Sequence, residues 1–251
     1  MIRPIIFLLC FAFDLIVHDL VLRIKYIFFN GDVHEFFQKF QKKRVRALYA
    51  YARIYTGFKI EVESQVKNTL PKTFIVIANH ISLVDIVAMF YVFSNHRIRF
   101  VAKKQLKKWI PTISFGARIS KNAFIDRRGD FATTYRELTR LGKSTKDGLC
   151  PVIFPEGTRS KTGKVGKFFT AGVRLVVENS DVPVLSVALG TSKPLTTLKE
   201  LIRNIKGATY RVKILNIHEH PKTRRETKVL LDRIYNELSR QVEKWHMTGI
   251  K

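Results

Sequence analysis

Cysteine is nearly absent from this chain. Its 251 residues include two, Cys10 and Cys150, and neither has the spacing of a metal ligand or a redox pair, so we expect no disulfide and no metal site. Acidic residues are also scarce: 20 Asp and Glu stand against 45 Lys and Arg, a formal net charge of +25. Such an imbalance implies anionic surroundings. Nucleic acid and an acidic bilayer both qualify, and at a bilayer each nearby basic residue adds ~1 kcal/mol to adsorption. No recognisable nucleic-acid-binding motif is present. Internal repeats, low-complexity tracts and long Pro/Gly/Ser linkers are missing, so the chain reads as one ordinary domain behind an N-terminal appendage, divided as 1–56 and 57–251.

Long uncharged apolar runs are lacking too. Pro4 to Val17 is apolar apart from Asp14, which is short of the ~20 residues a span needs. Extension to Phe29 takes in Asp14, His18, Asp19, Arg23 and Lys25. No small-residue cleavage site follows, which speaks against a signal peptide, and Leu9 stands where a lipoprotein site at Cys10 would need a small residue. We read residues 4–29 as a helix lying in the membrane interface, with a tilted span as the alternative. His34 to Tyr55 reads as a second helix. Phe36, Phe37, Phe40, Val45, Leu48 and Tyr51 give apolar helical spacing. Lys39, Lys42, Lys43, Arg44 and Arg46 supply charge that suits acidic headgroups.

Strand-like runs follow at Phe58–Val62, Phe74–Ala78, Ile98–Val101, Ala123–Asp126, Val152–Pro155, Pro183–Leu189 and Tyr210–Ile217. Helical runs lie between them at Leu83–Phe93, Phe131–Leu141 and Ala171–Glu178, with a last one at Arg224–Lys244. The alternation predicts an α/β fold, a mixed central sheet with helices on both faces. Ligands bind outside the carboxyl ends of strands in such sheets. Cys150 opens an apolar strand and is read as core. His218 and His220 share a strand face without a nearby third ligand, so they are read as surface histidines.

Two polar runs sit directly after apolar strands. The first is Asn79-His80-Ile81-Ser82-Leu83-Val84-Asp85. Histidine is the side chain best suited to take a proton near neutral pH, and a carboxylate on its second nitrogen fixes its tautomer. On one straight helix the two side chains would point ~140° apart, so they meet only if the chain bends, with a strand ending at Asn79 and a helix starting near Ser82. Ser82 is read as the cap of that helix. The second run is Phe154-Pro155-Glu156-Gly157-Thr158-Arg159-Ser160. Its glycine permits close backbone approach, and its arginine offers a planar fork for phosphate.

The two runs in this order resemble the glycerolipid acyltransferase family, whose prototype is the bacterial 1-acyl-glycerol-3-phosphate acyltransferase. Four blocks carry the resemblance over roughly residues 75–190: Asn79 to Asp85, Asn122 to Arg128 (containing Ile125-Asp126-Arg127), Phe154 to Ser160, and Val182 to Leu189. The connection Val101 to Leu106, with Ile110-Pro111 and Phe115-Gly116, is similar to the family's as well. One run departs: where many members have Phe-Lys-x-Gly, this chain has Phe169-Thr170-Ala171-Gly172, with Lys167 two places earlier.

The resemblance implies acyl transfer from a thioester to a lipid hydroxyl, with His80 as general base and Asp85 orienting it. It assigns substrate binding to Lys104, Arg127, Glu156, Gly157, Thr158 and Arg159. Arg127 and Arg159, with Lys104 behind them, would hold the phosphate; Glu156 would bond the glycerol; the Gly157 amide is the candidate donor to the oxyanion. No metal or cofactor is implied beyond acyl-CoA or acyl carrier protein as the thioester. The expected partners are lysophosphatidate, the donor and an anionic membrane surface, with no nucleic acid. The expected place is the cytoplasmic face of an inner or plasma membrane. Alternatives are the same chemistry on another lysophospholipid, a lyso-aminolipid or glycerol 3-phosphate, and a non-catalytic basic binding protein.

Overall fold

A computed structural model of the chain describes residues 2–28, 30–107, 113–126 and 129–248. Two helices lead, α1 (Ile2–Ile27) and α2 (Val33–Thr56). The α/β part follows in the order β1 (Lys59–Ser64), β2 (Ile75–Ala78), α3 (Asp85–Val92), β3 (Arg97–Lys103), α4 (Ile113–Ile119), β4 (Ala123–Ile125), α5 (Phe131–Lys143), β5 (Leu149–Ile153), α6 (Thr170–Glu178), β6 (Val184–Thr191), α7 (Leu198–Asn204), β7 (Thr209–His218) and α8 (Arg224–Met247). All seven sequence-predicted strands are present. The short helices α4 and α7 have too few apolar repeats to show a period in the sequence. Ile110 and Pro111 of the expected family connection, and Arg127 and Arg128, lie outside the described residues.

The strands form one sheet in the order β1-β7-β6-β2-β5-β3-β4. Neighbours run parallel except β6 and β7, which are antiparallel. Central strands of parallel sheets are covered on both faces and read as unbroken apolar runs. β2 and β5 are buried at every position. The two-residue pleat sends alternate side chains to opposite cores. Phe74, Val76 and Ala78 join Ala52 of α2 and Met89 of α3 on one face. Ile75 and Ile77 join Leu138 of α5, Val173 and Val176 of α6 and Ile234 and Leu238 of α8 on the other. Each of the larger side chains here, Val, Leu, Ile, Phe or Met, contributes ~1.5–3 kcal/mol by its burial.

Helix α1 packs along α2 through a polar clamp. Arg44 holds Asp14 with both forks, at 3.0 Å to Oδ1 and 2.6 Å to Oδ2. His18 bonds the Asp14 carbonyl at 2.9 Å and also contacts Arg44. Burial, partly offset by that carbonyl, lowers the His18 pKa. The one charge in the apolar run is thus matched from the second helix. Among the described residues no helix is long and apolar enough to cross a membrane.

Helix α2 ends at Gly57, whose φ of +70° closes the helix in the left-handed conformation. Two histidine expectations separate here. His218 is buried, beside Ser186 and Glu237 at 3.3 Å each, and is not a surface residue, because α8 covers this stretch of β6 and β7. His220 stays half-buried on the Val177 carbonyl at 3.0 Å. Cys150 is core, and burial pushes its thiol up to about 11.

Helices α5 and α6 touch at Gly142, where any Cβ would meet the Val176 carbonyl. Overpacking against a fixed backbone costs ~1–3 kcal/mol. Gly142→Ala is therefore expected to lower the melting temperature by several degrees (~2–4 °C per kcal/mol in a chain of this size); thermal unfolding followed by circular dichroism checks this.

Candidate active site

β2 pairs directly with β5, Val76 opposite Val152 and Ile77 opposite Ile153. Their carboxyl ends therefore release the Asn79–Asp85 and Phe154–Ser160 runs side by side. Asn79 is fully buried and extends the β2–β6 ladder by one step: its amide nitrogen donates to the Leu189 carbonyl at 2.9 Å, and its oxygen accepts the Leu189 N–H at 2.7 Å. After it the chain bends, and α3 starts at Asp85.

The bend closes the expected pair. His80 Nδ1 lies 2.6 Å from Asp85 Oδ2. The Ile81 N–H donates to the same oxygen at 2.8 Å. The other oxygen, Oδ1, accepts the Tyr210 hydroxyl at 2.7 Å. Asp85 is wholly inaccessible, whereas the His80 side chain keeps 19% exposure. Its ring stacks on Phe154 at 4.4 Å, tilted 15°. A carboxylate accepting from Nδ1–H leaves Nε2 as the basic nitrogen, and among the described residues no hydrogen bond engages Nε2. The arrangement can take a proton there and hold the resulting charge.

The second run holds the first by its backbone. The His80 N–H donates to Glu156 Oε1 at 2.8 Å, and the His80 carbonyl accepts the Ser160 N–H at 2.7 Å. Glu156 Oε2 accepts the Gly166 N–H, also at 2.8 Å. Glu156, expected to bond the glycerol, is 4% exposed, and each of its oxygens accepts a main-chain amide. Burial raises its pKa, against the lowering effect of those two amides. The amide expected to meet the oxyanion lies in a turn. Gly157, at φ +66°, folds its N–H back onto the Phe154 carbonyl at 3.0 Å, so that amide closes a turn and does not face open space.

Arg159 is half-buried and donates to the Thr196 carbonyl. Thr196 in turn donates to the Ile81 carbonyl at 3.0 Å. Thr158 is exposed on the same loop. Lys104 is exposed immediately beyond the carboxyl end of β3, on the rim of the sheet that carries His80. Arg127 falls outside the described residues. Lys167 is exposed. Ser82 does not cap α3, whose first turn has no side-chain cap. Its hydroxyl donates to the Leu195 carbonyl at 2.8 Å and accepts the Val84 N–H at 3.0 Å, a local turn that competes with capping.

Sequence reasoning missed Tyr210 and the structural use of Glu156. Tyr210 lies 125 positions from Asp85, and an aromatic residue in a strand-like run signals only core.

The fold and this pair of loops define an α/β protein with a carboxylate-held histidine at the carboxyl ends of two central strands. A family model described as Acyltransferase matches residues 59–190, and the chain belongs to the Acyltransferase family. It is 28% identical over 157 residues to a 1-acyl-sn-glycerol-3-phosphate acyltransferase of Saccharomyces cerevisiae, covering 61% of this chain and 50% of that protein. It is 31% identical over 109 residues to a lyso-ornithine lipid O-acyltransferase of Rhizobium meliloti, covering 43% and 35%. The chain thus spans about half or less of the length of these curated relatives. The crystal structure of the 1-acyl-sn-glycerophosphate acyltransferase PlsC of Thermotoga maritima shares its fold, with a TM-score of 0.72 at 23% identity over 98% of this chain and 95% of that one.

Removing the Glu156 carboxylate would strand two buried amides at ~1–3 kcal/mol each. Glu156→Ala is expected to lower the melting temperature by about 5 °C or more together with activity. A variant of unchanged melting temperature would return Glu156 to a substrate-contact role.

Proposed function

We propose that this protein transfers a fatty acyl group from an acyl thioester to the sn-2 hydroxyl of a 1-acyl-glycerol-3-phosphate, forming phosphatidic acid. The observation that carries this reading is the 2.6 Å bond between His80 Nδ1 and Asp85 Oδ2, with Nε2 left unengaged among the described residues. The acceptor hydroxyl attacks the thioester carbonyl as its proton passes to Nε2. The tetrahedral intermediate collapses, the carbon–sulfur bond breaks, and the imidazolium returns the proton to the departing thiolate. Such general base catalysis supplies ~10²–10⁴-fold. No acyl-enzyme is required. Arg159, with Arg127 and Lys104 by family match, would meet the phosphate, and Thr158 and Gly157 sit on the same loop. Acyl-CoA or acyl carrier protein is the donor; both are acidic and suit the +25 charge.

A second acceptor class has specific support. The matched Rhizobium protein is named for a lyso-ornithine lipid, and Phe169-Thr170-Ala171-Gly172 lacks the lysine that many members carry there. Acyl transfer by the purified full chain, with a long-chain acyl-CoA and a panel of lysophosphatidate, glycerol 3-phosphate and other lysolipids, separates the readings. Lysophosphatidate is expected to react. His80→Ala should lose at least ~10²-fold in kcat, and Arg159→Ala should raise the lysophosphatidate KM. Transfer only to a phosphate-free lysolipid would replace the acceptor.

The membrane reading rests on α1. Ile6, Leu9, Phe13, Ile16, Leu20, Ile24 and Ile27 are all exposed, and their spacing of three and four places them on one face. A continuous exposed apolar stripe of this kind marks an interaction surface, and beside a strongly basic helix it fits an anionic bilayer. The double variant Leu9→Glu, Phe13→Glu should leave acidic vesicles in a flotation assay while wild-type protein floats with them. Undiminished flotation would assign binding to α2.

A further inference from the structure

The hydrogen-bond pattern around Asp85 contains one side chain that no block of the family pattern includes. Tyr210 lies on β7, beyond residue 190 where the family match ends. It is completely buried, paired in the sheet between Ile60 of β1 and Thr191 of β6. Its ring belongs to the same apolar core as Met89 and Ala88 of α3, and its hydroxyl reaches Asp85 Oδ1 at 2.7 Å. An ionised carboxylate only accepts hydrogen bonds, so the phenol must donate. Asp85 therefore receives three donors: the His80 ring, the Ile81 amide and the Tyr210 hydroxyl. The first two share Oδ2, and among the described residues Tyr210 alone occupies Oδ1. Without it the carboxylate would hold a bare buried oxygen and would be anchored from one side only.

We propose that Tyr210 is a positioning residue of the acyl-transfer reaction, which orients the Asp85 carboxylate toward His80 Nδ1 and tempers its charge. The proposal rests on the reading of His80 as the base. Two consequences follow from the geometry. Donation to Oδ1 draws charge away from the carboxylate, so the imidazolium is less stabilised than it would be by an unbonded Asp85. Donation also fixes the plane of the carboxylate, and so the aim of Nε2. The phenol stays a donor at any working pH, since burial and the adjacent carboxylate raise its pKa well above the ordinary value. Among the described residues Glu156, on the loop after β5, also faces this cluster, and its Oε1 holds the His80 amide. Its titration must be kept apart from that of His80.

The test replaces Tyr210 in the full chain with Phe, which removes the hydroxyl alone, and with 3-fluorotyrosine, a stronger donor of nearly the same shape. Two readouts are taken: acyl transfer as a function of pH, and NMR titration of labelled histidine rings, with the His80 signal assigned by its loss in His80→Ala. Tyr210→Phe is expected to lower kcat about tenfold, the effect of one charge-assisted bond, with an unchanged acceptor KM. Its His80 titration should move to higher pH, and that of the fluorotyrosine protein to lower pH. A residue that only fills space would give no opposed shifts. Equal His80 titrations in all three proteins would overturn the proposal, and the fluorotyrosine protein decides if Tyr210→Phe fails to fold. Should His80→Ala remain active, the base assignment itself fails, and the titration still reports whether Tyr210 tunes the pair.

Discussion

The parallel pairing of β2 with β5 is the constraint on which the site depends. Because the strands run side by side in one direction, the two polar runs leave the sheet together and can bind each other. The His80 peptide shows the result: its N–H is held by Glu156 and its carbonyl by the Ser160 amide. A free loop bearing a histidine would sample many orientations. Here both main-chain groups of that residue are committed, and the ring is backed by Phe154.

The buried acids in this arrangement are organisers. Asp85 and Glu156 are inaccessible or nearly so, and together they accept five hydrogen bonds, three at Asp85 and two at Glu156, two of them from side chains. A buried carboxylate is tolerated only when its lone pairs are satisfied. That requirement ties the loop after β2, α3, β7 and the β5–α6 connection into one unit. Half-buried Asp14 of α1 is matched in the same way by Arg44 of α2. Asp19 is paired within α1 by Arg23, so the helix lies along α2 with both acids matched and its apolar stripe exposed.

Much of this was legible in the chain. The seven strands were readable because apolar runs of the right length alternate with helical spacing, and the bend between His80 and Asp85 followed from helical geometry alone. The short helices α4 and α7 were not, since seven residues carry too little periodicity. The structural part played by Glu156 was hidden for a related reason. A glutamate beside a glycine and an arginine looks like a ligand-binding group, and only the folded chain shows two amides arriving at its oxygens. The direction of the Gly157 amide was hidden as well, because a left-handed turn sets it, and φ is not written in the residue type.

The sequence by itself determined the fold class, the family and the His80–Asp85 pair, because hydrophobic period and short-range spacing are local properties that survive without a structure. The tertiary structure alone decided what surrounds that pair. Tyr210 and Leu189 come from strands more than a hundred positions away, and the burial that makes their bonds strong exists only once both cores have closed. It also decided which face of α1 is left bare, since a helix shows its stripe in sequence but not the direction in which it points.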